Sequence, residues 1–321
     1  RMPLGGNQAT GPLWRLEDRI SVAMNRPIPS ADWSARREIG SMTVLRRVVR
    51  IARLLGRPLT RLLVLPVCLG FAITHTQARA ASKQYLARVL GRPARALDVL
   101  AHFFTFGTTV LDRIYLLNDE DRRFEITIHG ENIVTEILAQ GGGCLLFGAH
   151  HGSFEVLRLV GRRQPDLSVS LAMYEDTGRK IGAALNAINP DLAPRIIGLG
   201  TPGAMIEIRD CLEHGGFVGM LADRTLAPDT TIKVDFLGMP AAFPTGPARL
   251  AALLGPPVVL MVGLFRGGNR YEIHFELLAP ATSAKPDPTD MTRLVTRYVA
   301  RLEHYCRTAP YNWFNFFDFW A

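Results

Sequence analysis

The stretch Gly141-Gly142-Gly143-Cys144-Leu145-Leu146-Phe147-Gly148-Ala149-His150-His151-Gly152-Ser153-Phe154-Glu155 decides the reading of this chain. Its middle, Cys144–Ala149, carries no charged side chain and is led in by three glycines. An apolar run of that length, bounded by turn residues, predicts a buried β-strand. The strand runs straight into two histidines, a glycine, a hydroxyl and then a carboxylate in the first turn of the next predicted helix. The same grammar repeats on either side. Strands are predicted at Phe124–His129, Ser168–Met173, Arg195–Leu199, Phe217–Ala222, Ile232–Phe236, Pro257–Leu264 and Tyr271–Leu278. Helices are predicted at Leu97–Leu117, Asn132–Gln140, Phe154–Arg163, Gly178–Ile188, Ala204–His214, Gly246–Leu254 and Thr289–Arg307. Such alternation implies an α/β fold with a largely parallel central sheet flanked by helices. Functional groups in open α/β sheets gather at the C-terminal ends of strands, which is where the histidines fall.

The 321 residues are 48% hydrophobic and 21% charged. That is enough chain for a large core and too apolar for a disordered one. Cys68, Cys144, Cys211 and Cys306 lie far apart with no C-x-x-C pair, against a disulfide framework or structural zinc. The net charge of +8 is unevenly placed. Residues 36–97 hold thirteen basic side chains against the single acid Glu38, whereas residues 98–321 hold twenty bases and twenty-five acids. A basic front ahead of a slightly acidic body points to an anionic surface, either phospholipid headgroups or nucleic acid.

Within that front, Arg46, Arg50, Arg53, Arg57 and Arg61 recur every three or four residues and share one face of a helix. Leu45, Val48, Val49, Ala52 and Leu55 occupy another. Such a helix can lie in a bilayer interface; the alternative is a helix covering the core with its arginines solvated. Leu62–Ile73 comes next without a polar side chain, roughly 18 Å of helix against a hydrocarbon core of ~30 Å, and Pro66 and Gly70 interrupt it. Embedding without crossing is therefore expected. Residues 1–41 show no signal peptide, so the cytoplasmic face is the expected side, as the basic patch also favours. The chain divides into a polar leader (1–41), basic amphipathic and apolar membrane-associating helices (42–117) and an α/β body (118–321).

Two strand ends carry chemistry. At the first, Glu155 can fold back on His150 to orient the imidazole as a base, the His–Glu half of a triad. Ser153 is not in a G-x-S-x-G elbow, and no protein nucleophile is evident. Adjacent histidines cannot make H-E-x-x-H, and no metal is expected. At the second, Gly219-Met220-Leu221-Ala222-Asp223-Arg224-Thr225, Arg224 can hold a phosphate or carboxylate with Asp223 orienting it; a plain strand-end ion pair is the alternative.

These blocks, in this order and about seventy residues apart, resemble the lysophospholipid acyltransferase superfamily. The similar branch contains the lipid A late acyltransferases and the phosphatidylinositol mannoside acyltransferases. His150 to Glu155 matches the family's His-x4-Asp/Glu. Its later block reads here Leu221-Ala222-Asp223-Arg224, Val234-Asp235-Phe236-Leu237-Gly238 and Phe243-Pro244-Thr245-Gly246-Pro247-Ala248. The C-terminal Tyr311-Asn312-Trp313-Phe314-Asn315-Phe316-Phe317-Asp318-Phe319-Trp320 resembles a subgroup of acyltransferases, some linked to aryl-polyene pigment loci. Where the family often has another acid after Asp223-Arg224, this chain has Thr225.

The resemblance implies an acyltransferase in which His150 deprotonates an acceptor hydroxyl or amine and Glu155 stabilises the imidazolium. The donor is a thioester of acyl-carrier protein or acyl-CoA, a co-substrate rather than a cofactor, and no acyl-enzyme forms. Gly152, Ser153, Asp223 and Arg224 are expected beside the substrate, with backbone N–H groups near Gly152 or the Arg224 turn receiving the oxyanion. The expected partners are an anionic phospholipid membrane, the acyl donor and a lipid or glycolipid acceptor, and no nucleic acid. The expected location is the cytoplasmic face of a bacterial inner membrane, peripheral or monotopic. Two other classes stay open: a thioesterase using the same pair on water, and a non-catalytic basic membrane-binding protein.

Overall fold

The computed structural model describes residues 42–118, 120–153, 155, 167–174, 182, 184–185, 188–189, 195–201, 203–224, 231–283 and 287–320. Its strands are β1 (Glu125–His129), β2 (Cys144–Gly148), β3 (Val169–Tyr174), β4 (Arg195–Leu199), β5 (Phe217–Leu221), β6 (Thr231–Phe236), β7 (Met239–Pro244), β8 (Val258–Phe265) and β9 (Arg270–Ala279). Seven of them form one sheet in the order β1-β9-β8-β2-β5-β3-β4. β8, β2, β5, β3 and β4 run parallel, while β9 is antiparallel to β8 and carries β1 parallel to itself. The largely parallel sheet expected from the sequence is thus present, with a reversed pair at one edge.

Every residue of β2 and of β8 is buried, the mark of strands covered on both faces. Alternate side chains of β2 serve two cores. Leu145 and Phe147 join a cluster with Tyr85, Phe103, Val218 and Tyr298, and Cys144 and Leu146 join one with Leu111, Phe217, Val259 and Ile273. The covering helices are α1 (Met42–Thr74), α2 (Thr76–Leu90), α3 (Ala96–Leu116), α4 (Glu131–Ala139), α5 (Ala204–Glu213), α6 (Gly246–Leu254) and α7 (Pro288–Thr308). Most of Phe154–Arg163, Glu155 excepted, and most of Gly178–Ile188 lie outside the described residues.

α2 lies inside the 42–117 stretch expected to be helical but was not delimited there, and β7 was not expected. β7 holds Pro240 and Pro244, which read as strand breakers, yet it pairs with β6 alone in a two-stranded sheet where missing donors are tolerated. Leu237 and Gly238 both take positive φ (53° and 80°) at its turn, the geometry that matches the twist of a hairpin.

The basic front departs from the expected picture. α1 is broken at Gly56 (φ 74°, ψ 166°), just before Pro58, so the arginine periodicity does not run along one straight helix. Arg46, Arg50 and Arg53 are exposed, as a lipid-facing surface requires. Arg57, beyond the kink, turns inward and is buried. It forms a bidentate pair with buried Asp112 of α3 (2.7 and 2.8 Å) and donates to the Gly268 carbonyl (2.7 Å). Tyr271 adds a third hydrogen bond to Asp112 (2.7 Å). Arg61 also donates to Gly268 (3.1 Å) and lies over Phe104 and Phe265. Arg57 and Arg61 therefore fasten α1 to the body instead of extending the exposed basic face.

Downstream of the kink the helix shows its apolar side outward. Leu62, Val67 and Ile73 are 63–71% exposed, and Leu54 just before the kink is 78% exposed. By length and composition residues 46–74 are sufficient to cross a membrane, and only 11% of the most apolar part is buried, unlike a core helix.

Candidate active site

β2 and β5 are neighbours in the sheet with Gly148 opposite Leu221, and the Ala222 N–H donates to the Gly148 carbonyl (3.0 Å). The two strands thus end side by side, and the residues leaving them, His150 and Asp223, meet. His150 Nδ1 lies 2.9 Å from Asp223 Oδ1, and the His150 backbone N–H donates to Oδ2 (3.0 Å). The indole Nε1–H of Trp313 donates to the same Oδ2 (3.0 Å). Asp223 is fully buried. Burial alone pushes its carboxyl upward, but His150 and the Arg224 charge outweigh that and hold it well below the usual carboxylate range.

An ionised carboxylate only accepts, so Nδ1 must carry the imidazole proton and Nε2 the lone pair. Burial and the nearby Arg224 charge lower the His150 pKa below its ordinary 6.5, against the opposing pull of Asp223. The ring is therefore neutral at pH 7. Its side chain retains 35% exposure, and Nε2, unlike the nitrogens of His151, is not a sealed orphan. A neutral imidazole with its tautomer fixed from behind and a free lone pair in front has the chemistry to accept a proton as a general base.

The C-terminal segment builds the rest of the site. Phe314 N–H donates to the His150 carbonyl (2.7 Å), and Gly152 N–H donates to the Asn312 carbonyl (2.8 Å). Asn312 is held in turn by the backbone of Phe265 at the end of β8. Arg224 donates to the Phe314 carbonyl and lies 5.2 Å over the Phe317 ring. Behind Trp313, buried His102 of α3 accepts a hydrogen bond from the Ser82 hydroxyl at Nδ1 (2.9 Å) and donates its Nε2–H to the Trp313 carbonyl (2.9 Å). Burial lowers the His102 pKa to about 4, so it stays a neutral brace. Trp313, which holds Asp223, is a residue of the candidate site that the sequence motifs did not single out. Its signal was an indole, which when buried needs an acceptor, set between two asparagines in an aromatic run.

Glu155, expected to orient His150, does not do so: its carboxylate pairs with Arg113 of α3 (2.9 Å) and accepts from the Ser153 hydroxyl (3.1 Å). The reason is the buried Asp223, which already saturates the Nδ1 side of the ring. Ser153 is buried, and its N–H donates to the Gly263 carbonyl (2.9 Å). Gly152 has φ 65°, and a Cβ there would stand 1.6 Å from the Gly263 carbonyl oxygen, so only glycine fits.

The expected backbone oxyanion donors at Gly152 are thus spoken for. The N–H groups of His150, His151, Gly152 and Ser153 all donate within the protein. Positive charge is supplied instead by Arg224 and Arg113, both close enough to lower the His150 pKa. His151 is buried, with its pKa lowered by burial to about 3, and belongs to the core.

The strand-end base, the buried carboxylate behind it and the flanking arginines fit proton abstraction from a hydroxyl or amine beside an anionic or carbonyl-bearing substrate. No curated protein matches the chain. The family model described as bacterial lipid A biosynthesis acyltransferase matches residues 39–321, a span that takes in the kinked helix, the whole sheet and the C-terminal segment closing over His150. The chain belongs to the bacterial lipid A biosynthesis acyltransferase family.

Proposed function

We propose that this acyltransferase moves a fatty acyl group from a thioester of acyl-carrier protein or coenzyme A to a hydroxyl, or an amine, of a lipid A-type glycolipid at a membrane surface. The observation that carries the reading is the neutral His150 imidazole backed by buried Asp223, with Nε2 open. Nε2 takes the acceptor proton, and the freed oxygen attacks the thioester carbonyl. The tetrahedral intermediate collapses with loss of thiolate, which recovers the proton from the imidazolium. Asp223 stabilises that imidazolium, and Arg224 and Arg113 supply the field for the oxyanion. Glu155 holds Arg113 in place and is itself held by the Ser153 hydroxyl.

The membrane half of the proposal rests on the outward apolar face of α1 and the exposed Arg46, Arg50 and Arg53 ahead of it. Leucine-sized side chains gain about 1.5–3 kcal/mol each on leaving water, and arginines near anionic headgroups add about 1 kcal/mol each. Because Arg57 and Arg61 tie the start of the post-kink segment to Gly268, that segment dips into one leaflet without crossing. The basic front favours the cytoplasmic leaflet of a bacterial inner membrane.

Supplying labelled acyl thioester to the protein on anionic vesicles, with and without glycolipid acceptor, tests the function. Label should appear on the acceptor, and His150→Ala should lower transfer by about 10²–10⁴ with the fold intact. Free fatty acid released at the same rate with or without acceptor would make the protein a thioesterase.

A further inference from the structure

On one face of the sheet, β9 presents Glu272, His274 and Glu276 in alternation, and β1 places His129 in register beside His274. The two imidazoles stack with centroids 4.5 Å apart and planes 15° from parallel. His274 Nε2 lies 3.3 Å from Glu272 Oε2. One ligand atom from each of His129, His274 and Glu272 falls within 4.8 Å of the other two. His129 is exposed, whereas His274 and Glu272 are partly buried. Acyl transfer by His150 uses none of the three, and β8 and β9 separate β1 from β2.

We propose that His129, His274 and Glu272 form a site for a divalent first-row transition metal ion. Two imidazoles and one carboxylate suit Zn²⁺, Ni²⁺ or Cu²⁺ better than Mg²⁺ or Ca²⁺, which prefer all-oxygen shells. At metal–ligand distances of about 2.0–2.2 Å, ligand atoms of a tetrahedral ion sit about 3.4 Å apart. The His274–Glu272 pair already meets that spacing, and exposed His129 has the freedom to close the remainder. A water molecule would complete the fourth position of such an ion.

Arg266 sets the affinity. Its Nε lies 2.8 Å from Glu272 Oε2, which fixes the carboxylate while using only part of its acceptor capacity. The same guanidinium repels an incoming cation. Binding is therefore modest, and removal of the arginine charge strengthens it. The ligands escape a motif search because they come from two strands far apart in sequence, whereas the expectation of no metal rested on spacing along the chain.

The test titrates metal-freed protein with Zn²⁺ alone by calorimetry and with Co²⁺ by visible absorption. The expected result is one saturable equivalent with the absorption of a nitrogen–oxygen site. His129→Ala, at an exposed position, should weaken binding at least tenfold and leave acyl transfer unchanged; Arg266→Gln should tighten binding. An absence of saturable binding, or equal affinity in wild type and His129→Ala, would overturn the proposal.

Discussion

Replacing Asp223 with asparagine separates the two carboxylates that compete for the role of His150's partner. In the native site Oδ2 accepts from two donors, the His150 N–H and the Trp313 Nε1–H, and Oδ1 faces Nδ1. An asparagine keeps the two-donor side satisfied only by placing its carbonyl oxygen there. Its amide NH₂ then faces Nδ1 and drives the ring to the tautomer protonated at Nε2, which has no lone pair for the acceptor. The imidazolium also loses its counter-charge. In an Asp–His pair of this kind the loss is about 10³–10⁴ in kcat, or ~4–5.5 kcal/mol of transition-state stabilisation. The shape of the site survives, so circular dichroism should match wild type. The assay is single-turnover acyl transfer from a labelled thioester, with Glu155→Gln beside it. Glu155 touches Arg113 and Ser153 rather than the base, and its substitution should cost far less. An Asp223→Asn protein retaining more than a tenth of wild-type turnover, with Glu155→Gln nearly inactive, would refute the assignment.

Since burial and Arg224 depress the His150 pKa, activity should be flat around neutrality and fall only in acid, below the ordinary imidazole range, as Nε2 becomes protonated. Arg224→Gln removes a repelling charge, so the acid limb of its kcat/KM profile should move to higher pH. The depressed Asp223 pKa contributes stability that is present above the ordinary carboxylate pKa and is lost as pH falls through the folded value; Asp223→Asn should flatten the acid side of the Tm–pH curve. Asp112→Ala strands Arg57 without its counter-charge and deprives Tyr271 of its acceptor. It should cost about 3–5 kcal/mol, read as a lower Tm, whereas Arg57→Met combined with Asp112→Leu should recover much of it. Leu62→Glu with Val67→Glu places two charges on the exposed apolar face of α1; the protein should then no longer float with anionic vesicles, and unchanged flotation would remove that face from the membrane.

The parts of this molecule legible in its sequence are those written locally. Cys144–Gly148 declares a strand through its unbroken apolar run, and His150 and Asp223 announce themselves by ending such runs. Their pairing is not local. β3 and β4 intervene in the chain between β2 and β5, and nothing near residue 150 states that residue 223 will stand beside it. The spacing to Glu155 points to a near neighbour instead. Arg57 was misplaced for a different reason. The face containing Arg46 to Arg61 assumed one continuous helix, although Gly56-Arg57-Pro58 is itself a break signal that rotates the turns beyond it. Trp313 lay hidden because its acceptor, a buried carboxylate, becomes evident only once the C-terminal segment is folded back over the strand ends.

The most direct measurement is mass spectrometry of the lipid extract from a bacterium lacking this gene, complemented with wild type or with the His150→Ala form. A lipid A-type species should lose one acyl chain in the deletion strain. Wild type should restore it and His150→Ala should not. Lipids unchanged by the deletion, or restored equally by both forms, would contradict acyl transfer by His150.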